Sequence, residues 1–540
     1  MNEETFDYLI VGGGAAGSVL ADRLSADGRA TVCVLEAGPK DTNPFIRMPA
    51  GYTKMLNDPA MMWQFHSEPA EGSAGRAVYL PQGRVVGGST SINGLVYNRG
   101  QAGDCDRWAA QGNTGWGYED VLPYYRRSET RQAGDPAYRG QDGPLRISDI
   151  EAPHPVCDAF IQSVASHGVP ADNDYNGASQ RGVGYYQRFI DRTRRITAAT
   201  AFLNPALRRA NLSLRTGQRV LRLVLEGRKV VGVQLTDANR PGPTQVLKAR
   251  REVIVCAGTV NSTRLLQVSG IGPAAVLQQA GVPVLHDLPG VGENFQDHYF
   301  VRVGSRLQPG TPSLNQQARG WRLAVQVMRW ALRQPSILSL SPSVAYAFVN
   351  SSDLSANPDL QFVFTPGSYK PGQVYVLDNF PGATCGFTQQ RPESIGHIRI
   401  RSADPMVDPL IQPNYLQADE DRAVAVRGIR LARRFLQAEP LAGMLAEELT
   451  PGLQADSDEE LLTFARETGN TGYHLVGTCM MGPASNPRAV VGPDLKVHGL
   501  DGVRVIDASV MPFVPSSNTC ATTLMIAEKG ADLVRASEHG

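Results

Sequence analysis

Two groups of residues in this 540-residue chain could do chemistry, and they stand near its opposite ends. Near the start, Gly12-Gly13-Gly14-Ala15-Ala16-Gly17 fits the pattern G-x-G-x-x-G, and Glu36 lies nineteen residues beyond Gly17, with Ala37 after it. Gly12 permits a tight turn. Gly14 lets backbone N–H groups approach a pyrophosphate, and Gly17 lets a helix pack closely on a strand. A carboxylate at position 36 can accept from ribose hydroxyls, and an acid there in place of arginine speaks against a 2′-phosphate. The pattern does not separate NAD from FAD. Near the other end, His474 is surrounded by Gly469, Gly472 and Gly477, so its backbone can approach a flat ligand. Imidazole is the side chain that exchanges a proton near neutrality. A lone histidine is more often structural than catalytic, so spacing alone leaves both readings of His474 standing.

The elements that must position these residues are legible in outline. Phe6–Val11 is a β-rich apolar run, Ala15–Leu24 has helical composition, and Thr31–Leu35 is a second β-rich run. Strand, glycine turn, helix, strand and acid make the dinucleotide-binding βαβ unit. A proline-rich stretch follows, through Pro39, Pro44, Pro49 and Pro59. It can lie over a ligand or on the surface. Gly83–Gly94 then brings Arg84, Gly87, Gly88, Ser89, Asn93 and Gly94 together, with Val96 just beyond. Its amides and hydroxyls can meet a phosphate or a polar ring edge, or simply cap a helix. Leu212–Leu225 and Val230–Leu235 alternate like two strands joined near Gly227. Glu252–Cys256, followed by Ala257, reads as a further buried strand of the nucleotide sheet. Thr259–Val268 reads as a helix, so Gly270-Ile271-Gly272 has no strand before it and is not a second fingerprint. With one such unit, the electrons are expected from a small substrate. Trp321–Leu332 is expected as a packed helix of a second region, ahead of a membrane-surface or dimer helix. Leu360–Phe364 and Gly396–Arg401 alternate like strands, and Ala418–Leu436 is an amphipathic helix. Val503–Ile506 reads as a strand, Asp507-Ala508-Ser509 as a turn, and Ser516–Thr519 leads into a helix through Leu524–Val534.

Acidic and basic residues balance at 52 each, which gives no electrostatic reason to expect nucleic acid. No run of about 18 apolar residues suggests a transmembrane helix, and no secretory leader is visible. A cytoplasmic location is the default, with peripheral contact at the inner membrane left open. The seven cysteines are scattered and never in C-x-x-C spacing, so neither a disulfide framework nor a metal site is expected.

GRVVGGSTSING, residues 83–94, resembles the first signature of the glucose–methanol–choline (GMC) oxidoreductases, FAD-dependent alcohol oxidases and dehydrogenases. GTVNSTRLLQVSGIG, residues 258–272, resembles the second, departing conservatively at Thr263, where the family usually has Pro or Ser. The likeness extends to NFQDH (294–298), YHLVGTCMMG (473–482) and residues 505–529, and so runs nearly end to end. It implies an α/β fold with an FAD-binding Rossmann-like βαβ domain from residues 1–155, 205–300 and 475–540. An α+β substrate domain on an antiparallel sheet would take 156–204 and 301–474. Val220 matches the position whose backbone meets adenine, and Asp507, Ala508 and Thr519 join the cofactor site. His474 matches the family's catalytic base, and Asn518 the second catalytic position, where Asn can orient an oxygen but cannot serve as a base. The helix after Asn518 would point its positive end at the reduced flavin. Ile92 replaces the histidine that attaches FAD covalently in some members, so the FAD is expected to be non-covalent. The resemblance thus implies oxidation of an alcohol, for preference a primary one, to aldehyde or ketone. Hydride passes to flavin N5, and dioxygen, a quinone or another carrier reoxidises the flavin. The alternative is a GMC-type lyase that cleaves cyanohydrins and uses FAD structurally. Tyr473 and Trp63 are candidates for the substrate wall. Monomer and homodimer are both open.

Overall fold

Apolar residues on strand Glu4–Val11 carry it into the interior before the glycine turn, and Tyr8–Val11 are buried. Helix Ala15–Ser25 starts at once and returns over the strand, burying Val19, Leu20 and Leu24. It can sit so low because a Cβ on Gly17 would lie 1.9 Å from the Gly12 carbonyl oxygen. Strand Val32–Glu36 is buried throughout and pairs parallel with the first, from Tyr8↔Val32 to Val11↔Leu35. On the other side the first strand pairs parallel with Gln245–Val255. Leu212–Thr216 extends the parallel sheet beyond Val32–Glu36, and Val503–Val505 extends it beyond Val253–Val255. The computed structural model describes residues 4–171, 174–240, 242–370, 373 and 376–537. The first and last three residues of the expected FAD domain lie outside the described residues.

The single strand expected over 212–225 is two. The chain turns at Gly217, whose φ is +68°. Leu212–Thr216 then pairs with Val32–Glu36, whereas Gln218–Glu226 pairs antiparallel with Lys229–Asp237. Alternation continues across the glycine, so the sequence pattern does not register the change of partner.

A second seven-stranded sheet is antiparallel. Its main path runs Leu445–Thr450, Tyr299–Leu307, Gly382–Gln389, Leu360–Thr365, Ala345–Val349 and Gly182–Tyr185, and Asn470–Thr471 pairs with Tyr299–Phe300. Helix Asp419–Leu436 packs on one face, with Phe435 meeting Phe362 edge-on at 5.4 Å. The opposite face lines a cavity. The strand expected over 396–401 forms a separate ribbon, His397–Arg399 with Leu410–Gln412. The fold is thus mixed α/β: a nucleotide-type sheet, parallel but for an antiparallel extension at Lys229–Asp237 and Gln218–Glu226, joined to a wholly antiparallel one. Each sheet has its own apolar core. Ala198, Phe202 and Leu203 pack in the first, and Phe65, Val78 and Leu80 in the second.

Helix Gly320–Ala331 departs from expectation. None of its residues is buried, and Trp321, Met328 and Leu332 face outward. Its inner side holds through Trp330, whose Nε1 donates to the Thr193 carbonyl at 2.9 Å under the Arg194 guanidinium. The helix carries apolar residues on two sides, and periodicity alone does not say which side packs. No helix among the described residues is long and apolar enough to cross a membrane.

Candidate active site

The two glycine-rich motifs of the first 94 residues are pressed against each other. The Gly87 amide donates to the Gly13 carbonyl at 2.8 Å, and a Cβ on Gly88 would stand 2.7 Å from the Gly14 Cα. Gly88 also has φ +53°, so both space and backbone require glycine. Ser89 accepts from the Gly83 amide at 3.1 Å instead of capping a helix. Glu36 is buried and accepts from the Gly13 amide at 2.9 Å and the Gly38 amide at 2.7 Å. Burial raises its pKa to about 7, against the pull of those two amides. Asp507 closes the end of the first sheet. It accepts from the Gly258 amide at 2.8 Å and from Ser262 and Ser509.

One cavity runs from this end to His474, about 2520 Å³ with its open mouth included. Every cofactor, catalytic and wall residue expected from the sequence lines it, except Gly17, Arg84 and Gly87. Those three stand behind the lining: Gly17 in the first turn of helix Ala15–Ser25 against Gly12, Gly87 on the Gly13 carbonyl, and Arg84 over the Trp63 ring at 5.2 Å. Arg219 and Arg264 also lie over Trp63, at 5.2 and 5.4 Å, which sets this indole beside the nucleotide-type sheet. A long dinucleotide fits such a space. Gly14 and Gly88 leave bare backbone in this lining, of the kind that would receive a pyrophosphate.

At the other end the sequence motifs NFQDH and GYH fold onto each other. Asp297 accepts from the His474 amide at 2.8 Å, and from the Thr471 and Tyr415 hydroxyls at 2.5 and 2.6 Å. Burial raises its pKa to about 6. Tyr473 has φ +63°, a strained conformation for a bulky residue, held as the chain turns to present His474. A Cβ on Gly472 would press on His298 at 3.0 Å, so the absence of one lets the two histidines meet.

That meeting fixes which nitrogen of His474 can act. His298 Nε2 lies 3.0 Å from the Gln390 carbonyl oxygen, which only accepts, so Nε2 carries the proton. Burial lowers the His298 pKa to about 4, so the ring is neutral and its Nδ1 is a lone pair. His474 Nδ1 lies 2.8 Å from it and must be the donor. His474 Nε2 is therefore the bare lone pair, and Asn518 Nδ2 donates to it at 2.9 Å. Burial first, then neighbouring His298, holds the His474 pKa well below 6.5. The His474 ring is therefore neutral at pH 7, with Nε2 free to accept a proton. Asn518 occupies the N-cap position of helix Thr519–Ala536, yet its side chain makes no capping bond. It reaches His474 instead, and its Oδ1 accepts from Gln361 Nε2 at 3.2 Å.

The antiparallel sheet floors this end with alternating residues. Phe300, Thr388 and Gln361 stand in one cross-strand row; Arg302, Gly386 and Val363 stand in the next. Phe300, Arg302, Thr388 and Gln361 all line the cavity. Asp297, His298, Arg302, Gln361 and Thr388 were not singled out from the sequence. Asp297 and His298 lay inside the NFQDH motif, where two adjacent titratable residues ahead of a strand were the available signal. The other three sit in ordinary strand patterns, and nothing local marks them.

Two models of the GMC oxidoreductase family match the chain, over residues 6–300 and 392–527. An oxygen-dependent choline dehydrogenase of Photobacterium profundum is 39% identical over 534 residues, covering 98% of this chain and 93% of that one. An alcohol dehydrogenase [acceptor] of Pseudomonas putida is 37% identical over 533 residues, covering 98% and 95%. Among solved structures, pyridoxine 4-oxidase from Mesorbium loti superposes with a TM-score of 0.88 at 32% identity, covering 99% of each chain.

Proposed function

The chain belongs to the GMC oxidoreductase family, and from that membership we propose that it is an FAD-dependent oxidoreductase of alcohols with His474 as its base. The observation that carries this reading is the bare Nε2 of His474, turned into the cavity beside a second polar side chain, Asn518. In the protein alone these two groups bond to each other. An alcohol oxygen entering between them gives its proton to His474 Nε2 and receives an N–H from Asn518. Asn518 cannot take the proton, so the two roles do not interchange. Gln361 holds Asn518 by its oxygen and so keeps its N–H groups turned inward. An alcohol is a very weak acid, and a positioned neutral imidazole lets its proton leave as the carbinol hydride departs. Residues from Gly14 to His474 would hold FAD along the cavity, and when bound it would supply the acceptor for that hydride. The product is an aldehyde or ketone.

Holding the cofactor falls to residues 1–155, 205–300 and 475–540, and shaping the substrate end to 156–204 and 301–474. Supporting this division, most strands of the antiparallel sheet come from the second set. Ile92 lines the cavity and offers no atom for a bond to flavin, so the cofactor is held without a covalent link. The test is anaerobic mixing of the FAD-loaded protein with a panel of alcohols. Bleaching of the flavin with formation of a carbonyl product is expected. A flavin that stays oxidised while substrate is consumed would make the protein a lyase.

A further inference from the structure

We propose that the alcohol oxidised here carries an anionic group, in the first instance a carboxylate, and that Arg302 receives it. This builds on the reading of the cavity as an alcohol-oxidising site. Arg302 lies on strand Tyr299–Leu307, two residues from Phe300, and both side chains line the cavity. Its guanidinium rests 4.3 Å over the Phe300 ring. Arg302 is partly buried, and among the described residues no carboxylate pairs with it.

The remaining charges sharpen the point. The carboxylates that line the cavity are Glu36 and Asp507, both at the cofactor end and both already accepting from the protein. Among the described residues, the wall at the substrate end therefore offers a cation and no carboxylate, Asp297 lying behind His474 and out of the lining. It also offers two buried polar atoms without partners, Gln361 Oε1 and Thr388 Oγ1, each on a residue 3% exposed. These stand in the row beside Asn518, and Arg302 stands one row further along the sheet. Two residues of strand span about 7 Å. A substrate fitting this layout has its carbinol at His474 and a negative charge at Arg302, one row of the sheet beyond Thr388 and Gln361. A hydroxy acid of four or so carbons has this shape. A quaternary ammonium alcohol such as choline, named for the relative from Photobacterium profundum, needs a carboxylate or a cage of aromatic faces. Phe300, Tyr369 and Tyr473 also line this cavity, but the Arg302 guanidinium already covers the Phe300 ring and would repel a quaternary ammonium.

The experiment compares 4-hydroxybutanoate, 1-butanol and choline as anaerobic reductants of the FAD-loaded protein, read as second-order rate constants of flavin bleaching. The hydroxy acid should exceed 1-butanol by about tenfold or more, the scale of one partly buried charge pair, with choline slowest. Arg302→Gln should narrow the first gap, and Arg302→Glu should place choline above the hydroxy acid. Cofactor content checks that each variant is folded. Choline equal to or faster than the hydroxy acid in the native protein would overturn the assignment. So would an Arg302→Glu protein, with cofactor bound, that keeps the native order. If no alcohol bleaches the flavin, the oxidising reading fails on its own, and the charge preference is still measurable. Pentanoate should then perturb the flavin spectrum at about tenfold lower concentration than butyltrimethylammonium, with the order reversed in Arg302→Glu; the opposite order would overturn the assignment.

Discussion

At the scale of single residues, the catalytic end is organised by proton placement. His298 neither faces the substrate position nor exchanges protons with it in this arrangement. Its contribution is to hold His474 in the tautomer whose Nε2 is bare. His298→Ala removes that hold and should slow anaerobic flavin reduction by about 10–100-fold with FAD retained. The acid limb of the pH profile should move as well, because His298 is one of the two causes of the low His474 pKa. His298→Asn, whose amide oxygen can accept from His474 Nδ1–H, should recover part of the rate. An alanine variant with native rate and pH profile would deny His298 this role. Glu36 gives a second expectation. In the proposed site a ribose hydroxyl would donate to the ionised carboxylate, and burial puts the Glu36 pKa at about 7. Below pH 7 the proton must leave before the ribose can bind, so FAD affinity should weaken up to about tenfold per pH unit as pH falls, and level off above 7. Glu36→Gln should bind weakly with no such slope. Fluorescence quenching of added FAD measures both. His474, Asn518 and Glu36 were legible in the sequence because a motif surrounds each. Arg302 and Gln361 were not, because a side chain on a strand acquires its role from the strands beside it.

At the scale of elements, the contact between the two glycine motifs is the most demanding. They are separated in sequence by about 70 residues and meet at Gly14 and Gly88. A Cβ at either place would enter the space proposed for the pyrophosphate, and at Gly88 it would also meet the Gly14 Cα at 2.7 Å. Gly88→Ala should cost about 1–3 kcal/mol by overpacking and should yield protein with most of its FAD missing. Flavin absorbance against protein absorbance after purification decides this; full occupancy would mean that the turn gives way freely. The βαβ unit was readable because turn, helix and strands are consecutive and each favours its own conformation. Two elements were misjudged for one reason. The strand over 212–225 breaks at Gly217 to change partners, and helix Gly320–Ala331 turns its Trp321 and Met328 side outward. In both, local periodicity is intact, and the deciding information lies in what packs alongside.

At the scale of the whole molecule, the chain's ends close on one another around the cavity. Helix Ala15–Ser25 and helix Thr519–Ala536 are joined by Arg23, which donates to Glu528 at 2.9 and 2.8 Å. Arg127 donates to the same carboxylate at 2.7 Å. Residue 518 thus begins a helix anchored on the glycine fingerprint, and the cofactor is expected to bridge both. A ligand that binds only the folded chain stabilises it in proportion to ln(1 + [L]/Kd), about 2.7 kcal/mol at a hundredfold excess over Kd. Removing FAD should therefore lower the unfolding temperature, and adding it back should restore it. With the non-covalent attachment proposed above, heat or acid denaturation should release the yellow chromophore into a filtrate. Yellow retained on the polypeptide would contradict that.

The most direct examination of the base is anaerobic reduction of FAD-loaded His474→Ala by a good alcohol substrate, followed in a single turnover beside the native protein. Cofactor content should be unchanged and the bleaching rate lower by about 10²–10⁴-fold. Bleaching at the native rate would remove His474 from the chemistry and, with it, the function proposed for this cavity.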